Sequence, residues 1–154
     1  TQITIRLPTT KAQQSRSVEH GPKRSTVRPG VKILVVEDEA TVRAATTRVL
    51  TQAGYLVQEA SDGLDALRTL QTRSEPPDLV VSDLVMPRMR GANLLRYLAE
   101  QHPEVPVLLI SGFPDDDSVV EQLVSGHSKL LHKPVSPHQL LREIDALLRS
   151  SSSP

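Results

Sequence analysis

Cysteine is missing altogether, which removes disulfides and thiolate metal sites and is compatible with a reducing compartment. Aromatic residues are nearly missing: two tyrosines and one phenylalanine leave little to sandwich a flavin ring. No apolar run approaches the roughly 18 residues that span a bilayer, and the first residues lack the apolar region of a signal peptide. The chain is expected to be soluble and cytoplasmic, with no membrane contact of its own, which leaves room for a membrane-anchored parent. Net charge is also absent, with 18 basic residues against 18 acidic. The balance hides an asymmetry: Arg6, Lys11, Arg16, Lys23, Arg24 and Arg28 against Glu19 give residues 1–30 a net +5 and leave −5 for the rest. Without interleaved aromatics, an amphipathic period or a recognition helix, this stretch reads as a solvated linker, and no nucleic-acid partner is expected.

What is present fits one domain with a full core, plus tails. Residues 2–8, QITIRLP, alternate like a half-buried strand but have no partner strand nearby, and residues 9–30 lack periodicity and suit a flexible linker. From residue 31 the pattern becomes regular. Strands are expected at 32–36, 55–60, 79–83, 105–110 and 129–132, and helices at 38–53, 62–72, 92–101, 115–124 and 136–148, before a serine-rich disordered tail at 150–154. Asp38 and Asp62 are candidate N-caps, and Ser136 with Gln139 forms a capping box around Pro137. Strands alternating with helices imply right-handed crossovers and a single doubly wound parallel α/β sheet with helices on both faces.

In such a sheet the strand C-termini meet at one edge, where open α/β folds keep their ligands. Glu37, Asp38, Asp83, Ser111 and Lys133 fall there. Two carboxylates about 4 Å apart repel by roughly 4 kcal/mol at an effective dielectric near 20, so the group calls for a cation. Oxygen ligands favour magnesium, with manganese as a substitute. The plainer alternative is a surface acidic patch offset by Lys133, which would suffice for any one of these residues but is strained as an explanation for four strand ends together. The combination suits phosphoryl transfer, with Asp83 attacking, Lys133 and Ser111 binding phosphoryl oxygens, and Gly112 leaving space for the donor. The product would be an acyl phosphate on Asp83.

Residues 31–149 resemble the receiver domains of two-component signalling, on the segments ILVVEDE, SDLVMPRMRG, LLISG and HKPVS in order and at receiver spacing. The resemblance implies the flavodoxin-like strand order 2-1-3-4-5 and Asp83 as phosphoacceptor. It further implies that Asp38 binds the metal directly and Glu37 through water, and that the Val85 carbonyl supplies another ligand. Ser111 would be the switch hydroxyl, Lys133 the phosphate-binding lysine, and Lys133-Pro134 a cis peptide. The implied partner is a histidine kinase or histidine phosphotransfer domain, and a weak homodimer is allowed. Residues 2–8 also look like the closing strand of a kinase ATP-binding domain, which would make this the C-terminal receiver of a hybrid histidine kinase. Kinase activity would then belong to residues outside this chain, which by itself would catalyse only its own phosphorylation and dephosphorylation.

Leu130 departs from the pattern: receivers usually carry Tyr or Phe there, and leucine offers no phenol for the familiar switch. Arg88 stands where glycine is common and reads as a solvated loop arginine, or as a contact for the phosphodonor. His20, His102, His127, His132 and His138 do not cluster, so the phosphohistidine must come from another domain or chain. Two rival chemistries lack their parts. A magnesium phosphohydrolase of the aspartyl-phosphate type would need an acid at Val85, and a flavin domain would need a phosphate loop where EDEATVR stands. A receiver serving only as a protein-binding module remains the alternative to phosphoryl acceptance.

Overall fold

The computed structural model describes residues 30–112 and 127–151. The expectations for residues 2–8, most of 9–30, 115–124 and 152–154 lie outside the described residues. Within them run β1 (Lys32–Val36), α1 (Ala40–Gln52), β2 (Leu56–Ala60), α2 (Gly63–Thr72), β3 (Leu79–Asp83), α3 (Gly91–Gln101), β4 (Val107–Ser111), β5 (Ser128–His132) and α4 (Pro137–Ser150). All strand pairs are parallel and the order is β2-β1-β3-β4-β5. The central strand β3 is buried along its whole length, as its apolar run requires in a sheet covered on both faces.

Alternation along the strands splits the core in two. Leu34, Val36, Val80 and Leu109 point to one face, where Ala66 and Leu70 of α2 and Leu94, Leu95 and Leu98 of α3 cover them. Ile33, Val35, Val81 and Leu108 point to the other, against Leu50 of α1 and Leu140, Ile144 and Leu147 of α4. Asp83 follows Val81 by two residues, so its side chain belongs on the α1–α4 side.

Several boundaries differ from the sequence reading. The N-cap of α1 is Glu39, without a side-chain cap bond, and not Asp38; Asp38 instead adds its carboxylate to an acidic cluster at the sheet edge. Asp62 does cap α2, its carboxylate accepting from the N–H groups of Leu64 and Asp65. Strand β4 starts at Val107, because Pro106 has no N–H to give to the ladder. On α2, Ala66 and Leu70 face the core, while Leu64 is 40% exposed. Ser136 Oγ accepts from the Gln139 N–H at 3.2 Å and opens α4, which runs on to Ser150 with Ser151 as its C-cap.

Candidate functional site

Each functional side chain is placed by the end of a strand. β1 delivers Glu37 and Asp38, β3 ends on Asp83, β4 ends on Ser111, and Lys133 follows β5. Carboxylate oxygens of Glu37, Asp38 and Asp83 lie within 4.8 Å of one another. Lys133 Nζ donates to Asp83 Oδ2 at 2.5 Å and stands 3.9 Å from Glu37 Oε2. The other Asp83 oxygen, Oδ1, accepts from the Val85 N–H at 3.0 Å. Ser111 is buried, and its carbonyl accepts from the Lys133 N–H at 2.7 Å, tying the serine to the lysine through the backbone.

The charges are crowded. Burial, then the neighbouring Asp83 carboxylate, push the Glu37 carboxyl up to about 7, against the lowering effect of the Glu39 N–H and Lys133. Burial pulls the Lys133 ammonium down, but the hydrogen bond and charge of Asp83, joined by Glu37 and Asp38, outweigh it and hold its pKa above the ordinary lysine value. One ammonium thus serves three carboxylates, an arrangement with room for a further cation. The donor set is all oxygen, which suits a hard divalent ion such as magnesium. Glu37, Asp38 and Asp83 are the residues that could hold it.

The remaining expected positions are less uniform. Val85 is exposed and touches the site through its backbone N–H. Lys133-Pro134 is cis. A methyl group at Gly112 would meet Lys133 Cδ at 3.8 Å, an ordinary contact, so among the described residues this glycine sits beside the lysine without crowding it. Leu130 packs on the α2–α3 core, on the far side of the sheet from Asp83. His132 ends β5 on the surface, one residue before Lys133 and on the opposite strand face.

Two side-chain contacts escaped the sequence reading. Arg43 Nη1 donates to the carbonyls of Glu37, at 2.6 Å, and Asp38, at 3.4 Å, while its Nε pairs with Glu59 at 3.3 Å. It props the acidic loop from α1, and an arginine in a first helical turn, where the dipole disfavours it, was the signal to follow. Arg88 is a loop arginine with its side chain 61% exposed, as the sequence suggests, but its guanidinium also bonds the buried Asp62 carboxylate. An apolar cleft of about 360 Å³ opens beside the carboxylates, lined among others by Val42, Thr46, Val135 and Leu140.

Comparison with known proteins fits this geometry. The family model described as response regulator receiver domain matches residues 33–145. The sensor kinase CckA of Brucella abortus is 37% identical over 116 residues, covering 75% of this chain and 12% of its own length. The alkaline phosphatase synthesis transcriptional regulatory protein SphR of Synechococcus elongatus is 38% identical over 132 residues, covering 81% of this chain and 51% of its own length. The chain therefore spans only part of these relatives. Among solved structures, the signal receiver domain of a signal transduction histidine kinase from Syntrophus aciditrophicus superposes with a TM-score of 0.72 at 28% identity, covering 80% of this chain and 93% of that one. With the five-stranded parallel sheet and the carboxylates at its edge, the match places this chain in the response regulator receiver domain family of two-component signalling.

Proposed function

We propose that Asp83 accepts a phosphoryl group from a phosphohistidine, with magnesium held by Glu37, Asp38, Asp83 and the Val85 carbonyl. The observation that carries this is the convergence of three carboxylates and the Lys133 ammonium at the strand C-termini. When bound, magnesium supplies positive charge against the phosphoryl oxygens and the carboxylates together. A carboxylate oxygen of Asp83 forms the new P–O bond while the P–N bond of the donor breaks, and the departing imidazole keeps that electron pair. Lys133 leaves Asp83 to pair with one phosphoryl oxygen, and the Ser111 hydroxyl donates to another. The apolar cleft beside α1 and α4 gives the donor domain a surface to lie on.

The donor in this reading is a histidine kinase or a histidine phosphotransfer domain. Similarity to a sensor kinase, of whose length the match covers 12%, supports the receiver of a hybrid histidine kinase, which in this reading works in the cytoplasm. No helix among the described residues is long and apolar enough to cross a membrane. The test is the intact mass of the chain after incubation with a small acyl phosphate and magnesium, beside Asp83→Asn. One added phosphoryl group, lost in the variant and with chelator, is expected; an equal gain in Asp83→Asn would refute the assignment.

A further inference from the structure

The loop that leaves Asp83 is held from outside itself. Val85 bonds Asp83 at one end, and at the other the Gly91 N–H donates to the Leu84 carbonyl at 3.0 Å. Between them Arg88 adopts φ 66°, in the left-handed region that suits glycine better than a residue with a side chain. From that backbone its guanidinium reaches the Asp62 carboxylate, 26 residues away at the start of α2 and only 1% exposed. Asp62 divides its oxygens: Oδ1 accepts from the N–H groups of Leu64 and Asp65 at 2.8 and 2.9 Å, and Oδ2 takes Arg88. Next to this pair Met89 lies on Gly63 so closely that a Cβ there would stand 2.8 Å from Met89 Cβ.

We propose that Arg88 is a positioning residue for metal binding and phosphoryl acceptance: through Asp62 it pins the loop after Asp83 to the N-terminus of α2, fixing where the Val85 backbone stands beside the carboxylates. The inference rests on the acceptor reading of Asp83. A backbone carbonyl on an irregular loop offers a metal a fixed ligand only if the loop is anchored, and partners outside the ligand set supply that anchoring. Without Arg88 the buried Asp62 carboxylate would keep a charge that, among the described residues, the Leu64 and Asp65 amides offset. The anchor also explains a non-glycine residue at a positive φ, since glycine could take the turn but not the ion pair.

The test compares Arg88→Met, Asp62→Asn, the double variant and Arg88→Lys with the parent chain. It reads the magnesium dissociation constant by titration calorimetry and the amide exchange of residues 84–90 in metal-free protein. Asparagine caps a helix about as well as aspartate, so Asp62→Asn removes the charge and keeps α2. Each single variant is expected to weaken magnesium roughly tenfold, the double variant no further, and Arg88→Lys to recover most of the loss. Exchange should rise at 84–90 while β1 and β3 stay protected. Parental affinity and loop exchange in Arg88→Met would overturn the proposal, as would additive losses in the double variant or a rise in exchange across the whole sheet. The exchange arm needs neither metal nor donor, so it succeeds or fails independently of the acceptor reading.

Discussion

Lys133 keeps its ammonium 2.5 Å from Asp83, so it neutralises the acceptor at rest and opposes any cation arriving at the same carboxylates. Those two roles predict opposite effects when it is removed. In Lys133→Met, magnesium affinity by calorimetry should hold or rise, because a repelling charge is gone. Phosphorylation from a small acyl phosphate should slow roughly 100-fold, because a donor to the phosphoryl oxygen is lost. A parallel fall in both would mean that the lysine merely keeps the site folded. Gly91 is constrained in another way: a Cβ at this position would stand 2.3 Å from the Asp83 carbonyl oxygen, a backbone atom that cannot step aside. Gly91→Ala should cost about 2 kcal/mol in denaturant unfolding, whereas Gly112→Ala, which among the described residues meets an ordinary 3.8 Å contact, should stay within about 0.5 kcal/mol.

At the scale of elements, β5 is fastened to α4 by a buried carboxylate. Glu143 bonds Lys129 from β5 and, at 2.7 Å, Arg142 of its own helix. The Lys129 bond first, then the Arg142 bond, hold its carboxyl below the usual range despite burial. A lowered folded pKa contributes stability above the ordinary carboxylate value of about 4.5 that is lost as pH falls through the folded value. Glu143→Gln should therefore be less stable than the parent by about 1.5 kcal/mol at neutral pH, with the gap closing in acid. A gap that widens on acidification would contradict the assignment. Leu130, on the same strand, already packs on the α2–α3 core, and it has no phenol to carry a switch outward. We predict that a phosphoryl mimic changes the amide spectra around Asp83 but leaves the β5 and α4 signals nearly unchanged. Large shifts along that surface would defeat the prediction.

Across the whole molecule, the frame was legible because buried parallel strands declare themselves. The apolar runs ending at Val36 and Val81 are read easily, and once the winding is right their C-terminal acids must share an edge. Asp83, Glu37, Asp38 and Lys133 were found in this way. What stayed hidden depended on contacts that no period encodes. Arg88 meets Asp62 only because a left-handed turn aims it across to another helix, and Arg43 props carbonyls rather than side chains. The start of α1 was misplaced because Asp38, a good cap by type, stands one residue before the N-cap Glu39, with its carboxylate in the acidic cluster. The central claim concerns one carboxylate, and reductive trapping tests it most directly. Borohydride cleaves an acyl phosphate and turns the modified aspartate into homoserine, so the chain would be phosphorylated, reduced, digested and read by tandem mass spectrometry. Homoserine at position 83 alone, absent without magnesium, is the predicted result; conversion elsewhere, or a phosphoryl group found on a histidine of this chain, would contradict it.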